Sequence, residues 1–368
     1  MNQNTLAIVS LGDNIHTIRW ANSFAERDWD VTIISTNNKK NVHHRQHPNI
    51  KIFTLDEYVK FEGSSLIKRI QQYRSLKRKL KGEKYDIIHA HFISHYTYFL
   101  TGLNNLIISL WGKDIIWDYS YKEPIIKKMI KKAILKRVNY ISTTSNFLKH
   151  TAISYFKNSE KKIRVIPFGV KMEYFVPSRE KLSSQNVKLV FIKHLEVKYG
   201  PMILLEAFKK VVSENNNIEL ILVGDGSLRK DVLDFVEKNN LQSKVHYRGK
   251  VSHEEIISAL DESDIFVMPS VFQSESFGVA AIEASAMELP IIVTRVGGVP
   301  EVIVDHKTGL LIEPNKTEEL KNAIEWLIEN KEKAKQMGKY GRIFTKNNYS
   351  WDENVNQMHD YYNYIISQ

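Results

Sequence analysis

At 368 residues the chain is long enough for two ordinary domains, and a hydrophobic fraction of 43%, with 16 Phe and 17 Tyr, supplies their cores. The absence of cysteine excludes disulfides, thiolate catalysis and Cys-based metal sites, and it is compatible with a reducing cytoplasm. The net charge of +10 is carried by the first half, the second half being net acidic. No apolar run approaches the roughly 18 residues of a membrane span, and the N-terminus reads as a first strand rather than a signal peptide because no basic segment precedes its apolar run.

Short β-rich runs alternate with amphipathic helices, the pattern of parallel sheets with crossover helices. Strands are expected over 6–10, 31–35, 50–54, 87–91 and 105–110, a first helix over 16–27, and later strands over 140–144 and 163–167. Asp28-Trp29-Asp30 matches the Asp-x-Asp string of metal-dependent transferases, but it lies in the turn before a strand and reads as structural. His89-Ala90-His91 ends a strand with His95 close behind; no obvious carboxylate completes a zinc set, and the alternative is a polar pair beside an inter-domain cleft. Trp111-Gly112-Lys113-Asp114 follows the next strand, which places Asp114 to meet a hydroxyl of a bound acceptor.

Two basic helices account for much of the positive charge. One contains Lys68, Arg69, Arg74, Lys77, Arg78, Lys79 and Lys81. The other interleaves Lys127, Lys128, Lys131, Lys132, Lys136 and Arg137 with Ile126, Met129, Ile130, Ile134 and Leu135 at helical spacing, apolar on one side and cationic on the other. Such a face suits an anionic membrane surface, or it is simply solvated. No nucleic-acid-binding signature accompanies the charge.

The polar stretch 174–186 is the expected linker. A second series follows, with strands over 187–192, 219–223, 245–247, 265–269, 291–294 and 309–312. Its helices are expected over 201–214, 228–239, 252–260, after Phe277, and over 317–329, with a final one over 351–366. Ligands in doubly wound sheets bind at the carboxyl ends of strands, and the chemistry-bearing residues cluster there. Lys193 and Lys198, after the first strand of the series, are placed to clamp a diphosphate. Gly224-Asp225-Gly226 ends the next strand and permits a tight turn and close backbone approach to a ligand. Arg229 stands where a dinucleotide fingerprint needs its third glycine, which disfavours NAD. Gly297-Gly298-Val299-Pro300-Glu301 reads as a loop and helix start or as backbone lining a cleft. In Glu275-Ser276-Phe277-Gly278-Val279-Ala280-Ala281-Ile282-Glu283, a helix beginning near Phe277 leaves the amides of Phe277, Gly278 and Val279 unpaired for a phosphate. Glu275 and Glu283 then flank that phosphate, or else are a cap and a solvated helix residue.

In this order the motifs resemble the retaining glycosyltransferases of the two-domain GT-B fold, often called family 4. The likeness is closest over 187–330: Lys193…Lys198-Tyr199-Gly200, Val223-Gly224-Asp225-Gly226, Tyr247-Arg248-Gly249, Ser263 to Ser270, Glu275-x7-Glu283, Gly297 to Glu301, and Thr308-Gly309-Leu310-Leu311. His16 to Trp20 and Asp86 to His91 carry a looser likeness in the first half. The resemblance implies two Rossmann-like domains facing a cleft: an acceptor-binding domain over 1–175, a nucleotide-sugar-binding domain over 187–345, and a final helix, 346–368, packed back on the first domain. It implies that Glu275 contacts donor-sugar hydroxyls and Glu283 the ribose, while Lys193, Lys198 and the amides of Ser276 to Val279 hold the diphosphate. Gly224 to Gly226 and Arg248 to Val251 would line the nucleotide pocket. Candidate catalytic residues are Glu275, Asp114 and His91, and no metal or other cofactor is expected.

The implied activity is transfer of a hexosyl or N-acetylhexosaminyl group to a lipid-linked or glycan acceptor at the inner face of the cell membrane. Alternatives are a sugar-nucleotide 2-epimerase and a non-catalytic partner protein. Three departures from the family pattern stand out. Lys193 replaces an arginine, which gives charge without a planar fork. Tyr199 is extra before Gly200, and Trp111 occupies a place where many members carry histidine.

Overall fold

The computed structural model describes residues 3–37, 39–40, 46–59, 66–117 and 122–368. The chain divides into two compact units, one of 1–166 with 355–368 and one of 167–354.

The first unit is built on a seven-stranded parallel sheet: β1 (Thr5–Ser10), β2 (Asp30–Ser35), β3 (Lys51–Thr54), β4 (Ile87–His91), β5 (Leu106–Leu110), β6 (Tyr140–Thr143) and β7 (Ile163–Val165), in the order β3-β2-β1-β4-β5-β6-β7. The inner strands are continuous apolar runs, such as Leu6 to Val9 and Leu106 to Ile108, because both faces are covered. Strand order reverses between β1 and β4, so Ser10 and His91 stand at a topological switch point. The helix Ile15–Ala25 begins there, its Asn14 cap accepting from the amides of His16 and Thr17 at 2.9 and 3.2 Å.

From Val355 onward, the last helix (Trp351–Ile366) belongs to this first unit. Tyr362 is buried against Phe24 and Trp29, with its hydroxyl 2.5 Å from His89 Nδ1. The other His89 nitrogen, Nε2, is 2.6 Å from Ser109 Oγ, which in turn bonds Ser142. Asp28-Trp29-Asp30 is structural here. Trp29 is buried, and Asp30 pairs with Lys51 at the amino end of the strands.

The two basic helices are Leu66–Glu83 and Ile125–Arg137. The second corrects its simple two-faced reading. Lys131 points inward, paired with Glu123 at 2.7 Å and bonded to the Ile115 carbonyl, whereas Ile125, Ile126 and Met129 are exposed.

The second unit holds a six-stranded parallel sheet: β8 (Val187–Ile192), β9 (Ile218–Val223), β10 (Val245–Gly249), β11 (Ile265–Met268), β12 (Ile291–Thr294) and β13 (Gly309–Ile312), in the order β10-β9-β8-β11-β12-β13. Its switch point lies between β8 and β11. The polar stretch 174–186 is not a free connection. Buried Asp264 accepts from Arg179 at 3.0 Å and from the amides of Leu182 and Lys188 at 2.8 and 2.9 Å, fastening the stretch to the sheet. The break between units falls earlier, before Pro167. Val170 donates to the Tyr349 carbonyl and accepts from the Trp351 amide, so 167–175 pack with the second unit rather than the first. Residues 346–354 likewise stay with the second unit, and a 19-residue helix, Lys331–Tyr349, leads into them.

Burial pushes the His89 imidazole down to about 3 and holds His91 well below the ordinary range. Both rings are therefore neutral in the folded unit and protonate near 6.5 once unfolded. Stability of the first unit is fully present above pH 6.5 and falls on acidification. Well below that pH the slope is about 1.4 kcal/mol per pH unit for each ring. Denaturant titrations from pH 7 to about 4.5 are expected to show this loss, and His89→Gln is expected to flatten it by one ring's share. An unchanged slope in that variant would contradict the assignment.

Candidate functional site

The carboxyl ends of β8, β9, β11 and β12 gather most of the candidate residues. Lys193, directly after β8, places its Nζ 3.0 and 2.9 Å from the two Glu275 carboxylate oxygens, and both side chains are largely buried. Its closest partner is therefore the carboxylate, not a second cation. Lys198 comes close to it through Tyr199. The two ammonium groups lie 5.0 and 4.5 Å from the centroid of that ring, and His194 stacks on it at 6.5 Å. Burial, with Glu275 nearby, raises the Tyr199 phenol well above its ordinary range, so it stays protonated.

The Glu275 backbone is locked by the double glycine. The Gly298 amide donates to the Glu275 carbonyl at 3.0 Å, and the Gly297 amide donates to Gln273 Oε1 at 2.7 Å. Gly297 has φ +53°, and a Cβ there would lie 2.1 Å from the Glu275 carbonyl oxygen. Gly297-Gly298 thus acts by carrying the Glu275 loop. Gly224 and Gly226 have a similar use. Added Cβ atoms would lie 2.0 Å from the Lys193 carbonyl oxygen and 2.4 Å from that of Leu195. Their close backbone approach is to the Lys193 loop. Asp225 caps its own turn by accepting from the Gly226 amide at 2.8 Å.

The helix after Phe277 starts two residues later than expected, at Val279, and runs to Ala286. Phe277 is instead a buried anchor, edge-on to Tyr349 and Phe168. Gly278 is the N-cap at φ +96°, a left-handed conformation that only glycine adopts readily. The consequence for anion binding is favourable. The amides of Phe277, Gly278, Val279 and Ala280 donate no hydrogen bond within the described residues. Four successive free amides at the positive end of a helix dipole form an anion cradle. Ser276 precedes them, and Glu283 is half-buried further along the same helix.

Arg248, on β10, pairs with Glu262. With Val251, Glu255 and Ser258 it lines a cavity of about 440 Å³.

In the first unit His91 is fully buried, its Nδ1 3.0 Å from Thr17 Oγ1, which is 2.8 Å from Ser10 Oγ. Its Nε2 has no partner among the described residues, and its ring lies 4.4 Å from Trp111. His91, expected among the catalytic residues, is thus enclosed within its own unit. Asp114 is held by its neighbours as well. One of its carboxylate oxygens accepts from the Ile93 amide at 3.0 Å, and the other from Trp111 and Gly112 at 3.2 and 2.8 Å. Both oxygens staple two loops together, and burial raises the carboxyl against the lowering effect of those amides. Sequence reasoning did not anticipate the half-buried aromatic group around Trp111, made with His16 at 5.9 Å and Phe92 at 4.7 Å. The signal available was Trp111 itself at a strand's carboxyl end. The zinc possibility at His89 meets a direct answer, since both its ring nitrogens are hydrogen-bonded to Tyr362 and Ser109.

Residues 176–344 match the family described as glycosyl transferases group 1, and residues 5–145 match glycosyl transferase 4-like. An uncharacterized glycosyltransferase of Methanocaldococcus jannaschii is 31% identical over 321 residues, spanning 84% of each chain. The gpi3 subunit of the phosphatidylinositol N-acetylglucosaminyltransferase of Schizosaccharomyces pombe is 24% identical over 292 residues, 78% of this chain and 62% of that protein. A solved glycosyltransferase structure from Rickettsia africae shares the fold, with a TM-score of 0.79 at 22% identity over 100% of this chain and 99% of that one.

Two glycines test how the Glu275 loop is held. Gly249 is also left-handed at φ +66°, but an added Cβ would meet nothing closer than 3.6 Å. Gly249→Ala is expected to cost about 1 kcal/mol from backbone strain alone, and Gly297→Ala at least about 3 kcal/mol once the Glu275 carbonyl is displaced. Thermal unfolding of the two variants gives the comparison, and equal losses would count against the lock.

Proposed function

This chain belongs to the glycosyl transferases group 1, and from that premise we propose a specific reaction. A hexosyl or N-acetylhexosaminyl group moves from a nucleoside-diphospho-sugar to a lipid-linked or glycan acceptor in cell-surface glycan synthesis, with retained anomeric configuration. The observation that carries the donor half is the run of free amides at Phe277, Gly278, Val279 and Ala280 beside the Lys193–Glu275 pair.

Those amides donate hydrogen bonds to the diphosphate oxygens, and Lys193 and Lys198 neutralise the charge that develops as the nucleoside diphosphate departs. This arrangement supplies electrostatic stabilisation without calling on a metal ion. When the diphosphate draws Lys193 away, Glu275 is released to accept hydrogen bonds from sugar hydroxyls; it positions the donor and is not a covalent nucleophile. Glu283 takes the ribose, and the cavity by Arg248 and Val251 takes the base. The acceptor belongs to the first unit, where Asp114 and His91 act as positioning residues for the loop that carries Trp111. A lipid-linked acceptor is supported by the fission-yeast relative, whose name specifies phosphatidylinositol. The two basic helices support peripheral contact with the inner face of an anionic membrane. Among the described residues, no helix is long and apolar enough to cross one.

Thermal-shift screening against UDP-, GDP- and ADP-sugars identifies the donor, because a true donor stabilises the fold by mass action. With that donor, Glu275→Gln separates the two roles of the carboxylate. Freed Lys193 is expected to bind the nucleoside diphosphate about 3- to 10-fold more tightly by calorimetry. Acceptor-dependent release of nucleoside diphosphate is expected to fall by about 100-fold or more. Full transfer activity in Glu275→Ala would overturn the site assignment.

A further inference from the structure

The helix Ile125–Arg137 has an outward face that folding does not explain. Ile125, Ile126 and Met129 are 75, 72 and 64% exposed, while Lys131, Ile134 and Leu135 of the same helix are buried. At about 100° per residue, the three exposed apolar side chains fall within one sector, opposite the sector that holds Lys131, Ile134 and Leu135. Further along that outward sector stand the exposed Lys132, Lys136 and Arg137, with exposed Lys128 on its flank. The helix contains no acidic residue. Glu123, two residues before it, is already occupied by Lys131 and by Tyr155.

We propose that this first turn of the Ile125–Arg137 helix inserts its Ile125, Ile126 and Met129 side chains into an anionic lipid leaflet, with the lysines and Arg137 on the headgroups. Apolar side chains ringed by cations, with no intervening carboxylate, complement an anionic leaflet in both its layers. Three side chains at one helix end are too little surface for a stable protein interface, but lipid accepts side chains singly. The neighbouring layer has the same character. The helix His95–Leu100 packs against both basic helices, and on the far one Ile67 is 70% exposed beside Lys68 and Arg69. The inference rests on the lipid-linked acceptor reading and specifies where the enzyme touches the membrane that would carry such an acceptor.

The test is co-sedimentation of the full chain with vesicles of phosphatidylcholine alone and of phosphatidylcholine with phosphatidylglycerol. Wild-type protein is expected to bind only the anionic vesicles, and less in high salt. The triple variant Ile125→Ser, Ile126→Ser, Met129→Ser should bind at least about ten-fold more weakly with an unchanged melting temperature. Lys128→Gln, Lys132→Gln, Lys136→Gln should lose most of the salt-sensitive part. Met129→Trp gives a direct readout of insertion, a blue shift of emission on anionic vesicles. The proposal is overturned by wild-type binding in the apolar variant, by no blue shift, or by a self-associating chain whose association the apolar variant abolishes. Stabilisation of the apolar variant by nucleoside diphosphate, measured without lipid, keeps the two readings apart. Retained stabilisation with failed insertion removes the docking surface alone, whereas a wild-type chain that neither binds the diphosphate nor transfers sugar removes the parent reading.

Discussion

A carboxylate that serves a ligand needs a fixed backbone and an exchangeable side chain, and Glu275 has both. Its carbonyl is held by the Gly298 amide and shielded by a glycine where no Cβ fits, while its carboxylate is held, among the described residues, by Lys193. The pair sits where two loops leave the switch point of the sheet, so the packing of four strand ends converges on it. Burying two opposite charges together avoids the penalty of either one alone. An anion that took the place of Glu275 on Lys193 would exchange one partner for another and would not have to meet a naked buried charge.

The two units solve different electrostatic problems. The second keeps live charges at its strand ends, balanced against each other. The first removes charge from the equivalent place. His89 and His91 are neutral by burial, Asp114 accepts from three amides, and Thr17 and Ser109 bond one His91 nitrogen and one His89 nitrogen. What is left half-exposed at the first switch point is aromatic, Trp111 with His16 and Phe92. Aromatic surface suits the apolar face of a ring or a chain.

Strands such as Ile87–His91, Val187–Ile192, Ile291–Thr294 and Gly309–Ile312 were legible to the residue, because a strand covered on both faces is a mostly apolar run between turn residues. Pro201 likewise announced its helix at N1. The helix Lys331–Tyr349 was not legible. Its sequence is polar and contains Gly338 and Gly341, which argue against a helix locally. Only the fold explains Gly338, where a Cβ would lie 2.0 Å from the Glu288 carbonyl oxygen. The contacts that hold Asp114 and the stretch 174–186 were hidden for a related reason. Their partners, Ile93 and Asp264, are far enough away in sequence that no local pattern signals them. At the candidate donor site the pattern set the helix start two residues early, since Phe277 reads as a helical apolar position while its ring is spent on Tyr349.

The inserted Tyr199 and the replacement of an arginine by Lys193 belong together. An arginine fork is rigid and prefers to keep a bidentate partner. A lysine on a flexible stem can hold both Glu275 oxygens and still leave them for a phosphate. Two ammonium groups held close to one another repel, and the Tyr199 ring, 5.0 and 4.5 Å from them, offers each a compensating π-face worth roughly 0.5–2 kcal/mol. Glu275 neutralises one of the two, and burial together with that carboxylate raises the Tyr199 phenol. Tyr199 is thus the shared neighbour that lets two lysines stand at one strand end.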